Sequence, residues 1–425
     1  MKESFLQNCW KYKIIPINNL TTTLGKKVIV HNVGTHNLNE GPDFLNAKIE
    51  IDGKIWFGSV EIHLKNSDWK NHKHYLNKNY DTVILHLVYK MDVSENFNNI
   101  PTIELEPFIP KEIINQSENW TNFEKGFIPC ENQLLHVGES FKILFLESLY
   151  FKKLEEKNKL IEKELQENLF HWEAVFFKNI AYSLGLKINA TAFYNLANSL
   201  PFILIEKASK NKWDLEALLM GQAGFLNQES EEEYVVSLKN TFEYYKHKYQ
   251  LLPLNKEQFK FFRLRPVSFP TIKIAQLSAI YKSKENVFSE LIKLNSLKDF
   301  YDFLENISLP NYWDNHYVLN KKSNVTNKKS ISKATIDLII INTIIPFKFS
   351  YQKLMGEEQS DDLLAILNEI KPEDNTIIKN FKAFKVVPKD AIQSQALLYL
   401  KKNYCDQKKC LTCSFGLEIL KKTLN

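Results

Sequence analysis

"GPDFLNAKIEIDGKIWFGSVEIHLK", residues 41–65, reads as two strand-like runs joined at Asp52-Gly53, a dipeptide suited to a two-residue hairpin turn. Asp43 opens the first run, and Glu61, His63 and Lys65 close the second. Alternation along a strand puts Glu61, His63 and Lys65 on one face. A plain two-residue turn pairs Ile51 with Lys54 and Asp43 with Ile62, which sends Asp43 to the face opposite Glu61. A one-residue irregularity would bring them together. Placed at Gly58, or in a three-residue turn with Gly53 left-handed, it sets Asp43 across from His63 and Leu45 across from Glu61. The charges are then either solvated strand ends, with Asp43 a turn residue after Gly-Pro, or ligands of a divalent cation with a basic group beside them.

Outward from the hairpin, five of the twelve glycines (Gly25, Gly34, Gly41, Gly53, Gly58) fall in the first 58 residues, where turns between strands need them. A helix is expected over Glu3 to Tyr12 and a strand in "KKVIVHNV". Ser67 or Asp68 caps a short helix through "WKNHKHYL", and "DTVILHLVYK" supplies a buried strand. The order is helix, three strands, helix, strand.

From Phe141 onward the period becomes helical. "FKILFLESLYFKKLEEKNKLIEKELQ" is amphipathic, and further helices are expected through "HWEAVFFKNIAYSLGL", "NATAFYNLANSL", "WDLEALLMGQAGFL" and the segment after Pro270. "NKKSNVTNKKS" is the best linker. Beyond it lie "ISKATIDLIIINTIIPF", "SDDLLAILNEI" and "DAIQSQALLYLKKNYC". The expectation is an α+β protein: an α/β domain over residues 1–125, a helical domain over 126–320, and a C-terminal helical domain with a cysteine cluster over 321–425.

A chain of 425 residues with 44% hydrophobic content is long enough for several cores. Its N-terminus lacks an apolar leader run, and "TIDLIIINTIIPF" is short for a bilayer and interrupted by Asp337 and Asn342, so a cytoplasmic protein without a membrane partner is expected. Five cysteines do not resemble a secreted disulfide framework. The net charge of +5 permits nucleic-acid binding without arguing for it. Arg263 and Arg265 are the only arginines among 55 basic residues, which marks a place where a planar five-donor fork is needed. The residues favour a buried pair with a carboxylate such as Glu216 over binding of a substrate phosphate.

The element order, with Pro42-Asp43 before one strand and Glu61-x-His63 on the next, resembles the core of the PD-(D/E)XK nuclease superfamily over about the first ninety residues. That resemblance implies that Asp43 and Glu61 bind Mg²⁺ (or Mn²⁺) and that a lysine two residues after the Glu positions water. Here His63 stands in the lysine's place and Lys65 one alternation further on, so His63 or Lys65 would handle the water. Glu3 is a candidate second-metal carboxylate. Over nearly the whole length, strings such as "NEGPDF", "GSVEIHLKNSDWKNHKH", "MGQAGFL", "RLRPVSFPTIKIAQL" and "CLTCSFG" resemble a bacterial family catalogued only as a domain of unknown function (DUF2851).

In "SDWKNHKH", a regular helix puts Asp68 and His72 on one face and turns His74 away. All three meet one ion only if the segment is irregular. The favoured reading has Asp68 capping, Trp69 packing and His72 reaching the substrate or the edge of the cluster, with His86 a core histidine bonded to backbone. "CDQKKCLTC" gives Cys405-x4-Cys410-x2-Cys413, a usual bite for zinc or an iron-sulfur cluster. Cys130, Cys9 or a histidine would complete the set. Some PD-(D/E)XK nucleases are similar in joining one distant cysteine to a C-terminal trio around an iron-sulfur staple, with different spacing.

These readings lead to a Mg²⁺-dependent nuclease or nuclease-like protein acting on nucleic acid. The alternatives are a non-catalytic binding or assembly protein with a degenerate core, and a hydrolase of another kind using the histidines and zinc.

Overall fold

The computed structural model describes residues 1–423 other than 96, 212, 285, 358 and 359. Its contacts divide the chain into two compact units. The first joins Met1–Leu149 to Glu373–Pro388 and Gln393–Asn425; the second comprises Tyr150–Pro372 and Lys389–Ile392. Neither residue 125 nor residue 320 separates them. The C-terminal cysteine segment belongs with the N-terminal sheet, and the polar stretch expected to be a linker lies inside the helical unit. There Lys329 is buried, its Nζ donating to the carbonyls of Asp314 and Asn327 at 2.8 and 2.9 Å.

The first unit opens with α1 (Glu3–Lys11), which buries Phe5, Leu6, Cys9 and Trp10. Strands β1 (Leu20–Thr21), β2 (Lys27–Asn32), β3 (Thr35–His36), β4 (Phe44–Ile51) and β5 (Lys54–Lys65) follow. Then come the four-residue helix α2 (Asp68–Asn71), β6 (Val83–Lys90), β7 (Thr102–Glu104) and α3 (Lys111–Thr121). The seven strands form one mixed sheet, ordered β1-β2-β4-β5-β6-β7 with β3 beside β4; β5, β6 and β7 run parallel and the rest antiparallel. The chain passes to the second unit within α4 (Glu139–Glu167).

The hairpin turn is the two-residue kind, with Asp52 and Gly53 both at positive φ (53° and 78°). The ladder runs regularly from Ile51↔Lys54 to Ala47↔Gly58 and then jumps to Phe44↔Val60. Leu45 and Asn46 together face Ser59, and exposed Asn46 takes the left-handed conformation (φ 58°) that Asn tolerates better than most residues. The irregularity is therefore real but lies on β4, not at Gly58 or in the turn. It shifts the pairing the other way, so that Asp43 comes level with Glu61, not with His63. Gly58 serves another purpose: a Cβ there would meet Ile84 Cγ2 at 2.4 Å and the Thr82 carbonyl at 2.5 Å.

The second unit is helical. Its segments include Trp172–Leu184, Leu186–Asn198, Asp214–Gln222, Glu233–Tyr249 and Pro270–Ser283. The apolar stretch is helical from Lys333 to Met355, longer than its apolar run, and it is long and apolar enough to cross a bilayer; 67% of its most apolar window is buried inside the protein. Lys348 within it is held by the carbonyls of Ile292 and Leu294 and by Asn295 Oδ1, each at 2.7 Å. The expected pairing of Glu216 with an arginine is absent. Glu216 Oε1 instead accepts from Tyr234 (2.6 Å) and the Trp313 indole (2.7 Å), and burial pushes its carboxyl up to about 7. Arg263 and Arg265 are exposed, and Arg263 lies over the Phe262 ring.

Candidate metal centre

The bulge on β4 brings the two predicted carboxylates together. The Asp43 amide donates to Glu61 Oε2 and the Ile62 amide donates to Asp43 Oδ2, both at 3.0 Å, so each acid is fixed by the other's strand. From α1, Gln7 Nε2 donates to Asp43 Oδ1 at 2.8 Å. Burial, then the charge of Glu61, then that of Glu3 raise the Asp43 carboxyl well above the ordinary carboxylate range. Glu61 is raised by burial and by Glu3, against the hydrogen bond from the Asp43 amide. Glu3 itself is raised, chiefly by burial. Three acids thus crowd one place, the arrangement that a bound cation relieves.

His63 is fully buried on the Glu61 face of β5. Its Nδ1 lies 2.8 Å from His86 Nε2 and its Nε2 lies 3.2 Å from His74 Nε2. Glu61 Oε1 is 3.4 Å from His63 Nε2 and 3.3 Å from His74 Nε2. Burial first, then the neighbouring imidazoles, depress His63 to about 2 and His86 to about 3, so both rings are neutral. His86 is a core residue as expected, yet its ring bonds an imidazole and not the backbone.

The segment after β5 is irregular in the way that convergence requires. Helix α2 ends at Asn71, Lys73 is left-handed (φ 58°), and a 3₁₀ turn begins at His74. This kink swings His74 onto the side that His72 faces. One nitrogen from each of His63, His72 and His74 lies within 4.8 Å of the others, with His72 exposed and the other two buried. Asp68 is not among them; it accepts from the Lys65 amide at 3.0 Å. Trp69 packs as expected and is fully buried.

Lys65 is exposed, and its charge bears on Asp92. Both nitrogens of His63, one of the two residues expected to handle water, face other imidazoles, and Lys65, the other, is exposed at the end of β5. Two residues of the site escape a reading of the sequence. Gln7 stands one helical turn after Glu3, a spacing that could have disclosed it. Tyr80 stacks on His74 (ring centroids 3.8 Å apart) and is raised to about 12 by burial, Glu61 and Asp43; nothing in its sequence neighbourhood signals this.

Four of the five cysteines lie elsewhere in the same unit. Cys130 sits in a turn where its carbonyl accepts from the amides of Gln133 and Leu134. Cys405 ends a π-helical turn, Cys410 opens a 3₁₀ turn, and Cys413 precedes the helix Ser414–Thr423. Burial raises the Cys130 thiol, and Cys405, Cys413 and Cys410 raise it further. The four thiols thus feel one another's charge, whereas Cys9 is raised by burial alone. The close approach depends on Gly416, where a Cβ would stand 2.1 Å from the Cys410 carbonyl.

A family model described as "Protein of unknown function (DUF2851)" matches residues 3–376. The chain belongs to that family. The matched span holds Asp43, Glu61, the histidines, Cys130 and both arginines, and leaves out the C-terminal cysteines. No curated protein and no solved structure shows a detectable match.

Proposed function

We propose that this chain is a metal-dependent phosphodiesterase of nuclease-like type, acting on nucleic acid. The observation that carries the reading is the convergence of Asp43 and Glu61, each accepting a backbone N–H from the other's strand, beneath an exposed histidine. A divalent cation in such a site polarises a phosphoryl oxygen and lowers the pKa of bound water. Asp43, Glu61 and Glu3 supply the charge that gathers a cation, and Gln7 holds Asp43 in its rotamer. His72, the exposed imidazole, takes the proton-handling role expected of His63 or Lys65. Mg²⁺, the ion implied by the superfamily resemblance, is poorly matched to a pocket whose closest donors include two imidazoles, since it prefers oxygen ligands.

Exposed Arg263 and Arg265 are read as contacts to substrate phosphates, a role that their exposure allows and a buried ion pair would not. The four cysteines are read as a structural zinc or iron-sulfur site. Five unpaired thiols suit a reducing, cytoplasmic setting.

The test is cleavage of single- and double-stranded DNA and RNA with Mg²⁺, Mn²⁺ or Zn²⁺, comparing wild type with Asp43→Ala. Activity equal in the two proteins, or no cleavage above a chelator control with any ion, overturns the reading. A second reading, a non-catalytic binding protein with a degenerate core, is favoured by one observation: the position that the resemblance gives to a lysine holds a buried, neutral histidine. It predicts nucleic-acid binding that Glu61→Gln leaves unchanged.

A further inference from the structure

We infer that the centre on β5 is built for an imidazole-binding transition ion of the zinc class, held by Glu61 Oε1, His63 Nε2 and His74 Nε2, and not for Mg²⁺. The inference rests on the reading of this site as a metal centre and names its ion. Three observations support it.

The first is spacing. The three donor atoms form a triangle with sides of 3.2, 3.3 and 3.4 Å. The centre of such a triangle is about 1.9 Å from each corner, so an ion slightly above its plane meets all three near the roughly 2.0–2.1 Å of zinc bonds to nitrogen and oxygen.

The second is proton count. A neutral imidazole carries one N–H, and the 2.8 Å contact of His63 Nδ1 with His86 Nε2 uses a proton on one of those atoms. If His63 Nδ1 is the donor, His63 Nε2 presents a lone pair to His74 Nε2 and to Glu61 Oε1. With Glu61 ionised, one proton on His74 can serve one of those neighbours and leaves the other facing a lone pair; without an ion, the set is satisfied only if Glu61 itself takes up a proton. A cation serves all three at once, and His63 then donates its remaining N–H to His86, the arrangement usual for a metal-ligating histidine.

The third is access. His63 and His74 are buried and His72 is exposed at the same place. Three protein ligands beside a solvent-exposed histidine match the pattern of catalytic zinc sites, in which a fourth position is left to water or substrate. Two imidazoles and one carboxylate suit zinc, iron(II) or cobalt(II), whereas Mg²⁺ takes oxygen donors and keeps much of its water.

The experiment uses the full chain, freed of metal with a chelator and titrated separately with Zn²⁺, Co²⁺ and Mg²⁺ by calorimetry. Co²⁺ loading is also followed by visible absorption and by proton NMR of the paramagnetically shifted imidazole N–H signals. One equivalent of Zn²⁺ or Co²⁺ is expected at this site, at least about a hundredfold tighter than Mg²⁺. Two shifted imidazole N–H signals are expected, with that of His63 protected from exchange. Ions held by the cysteines are separated by repeating the titration in Cys410→Ser. His74→Asn should weaken Co²⁺ binding at least about tenfold. Equal affinity for Mg²⁺ and Zn²⁺, no shifted imidazole signals in wild type, or unchanged Co²⁺ binding in folded His74→Asn each overturns the inference. The wild-type spectrum decides the matter even if a variant misfolds. Tight Zn²⁺ binding without cleavage of any polymer would sink the phosphodiesterase reading alone. Cleavage with Mg²⁺ and no imidazole signals would sink the ion assignment alone.

Discussion

Replacing Asp43 by Asn should make the metal-free protein more stable and the metal-loaded protein less stable than wild type. In the metal-free state the Asp43 carboxyl is raised by burial and by the nearby charges of Glu61 and Glu3, and only hydrogen bonds from Ile62 and Gln7 act against this. An acid with a raised folded pKa binds more protons folded than unfolded. Wild-type stability therefore falls as pH climbs from the ordinary carboxylate range towards the raised folded value. A tenfold difference in proton affinity between the folded and unfolded chain is worth about 1.4 kcal/mol. Asp43 and Glu61 share one repulsion, so on the order of 1–3 kcal/mol is released when one charge is removed. Asn keeps a carbonyl oxygen for the Ile62 amide, and Gln7 can turn its own oxygen towards the new amide group. With a divalent ion present the order inverts, because an ion at a hundred times its Kd stabilises wild type by about 2.7 kcal/mol and the variant by less, since it lacks one of the negative charges that gather the cation although Asp43 is not among the three donors. The assay is denaturant unfolding at pH 8 and at pH 4.5, with chelator and with saturating ion. Asp43→Asn should lead wild type in chelator at pH 8, lose most of that lead at pH 4.5, and trail wild type with the ion. An Asp43→Asn protein less stable than wild type in chelator at pH 8 would refute the account of crowded carboxylates.

Four further outcomes follow from particular residues. Asn46→Val should cost about 1–2 kcal/mol through its left-handed backbone, while Asn46→Gly should cost little. Neither should undo the bulge, because the regular register would take fully buried Phe44 from the core at about 1.5–3 kcal/mol; ion binding lost in a folded Asn46→Val protein would contradict this. Glu216→Gln should flatten the loss of stability between pH 4.5 and 7 and gain roughly 1–3 kcal/mol above pH 7, read from unfolding midpoints, since its carboxyl is raised to about 7 by burial. If the proposed cysteine site holds a metal, Cys410→Ser should release it and Cys9→Ser should not, as elemental analysis would show. Converting Arg263 and Arg265 to Ala should weaken nucleic-acid binding and lower its salt slope by about two; an unchanged slope would remove them from the interface.

The periodicity of the chain discloses most of its elements, because the patterns that mark them are local. The hairpin about Asp52-Gly53, the strand over Val83–Lys90 and the long helix from Glu139 each rest on alternation or a three-to-four spacing that neighbouring residues determine. The cysteine bite is legible for the same reason, since Cys410 and Cys413 are three residues apart. The proposed fourth member is not, because Cys130 stands in a turn 275 positions before Cys405, a distance over which composition carries no signal. The unit boundaries escape the sequence for a related reason: a polar run such as that around Lys321 looks like a linker whether or not its lysines find carbonyls.

By itself the sequence determined the inventory: which strands could form, which acids and imidazoles stood near the hairpin, and that a regular ladder would hold Asp43 and Glu61 apart. Tertiary structure decided how that conflict was resolved. One left-handed residue on β4 changes the parity of the strand, and one at Lys73 turns His74 back towards His63. Each is a single-residue backbone event whose local cost of about a kilocalorie is small beside the burial of Phe44 and Trp69 that the resulting packing secures. Such events are settled by the whole core, and no window of the chain contains the interactions that decide them.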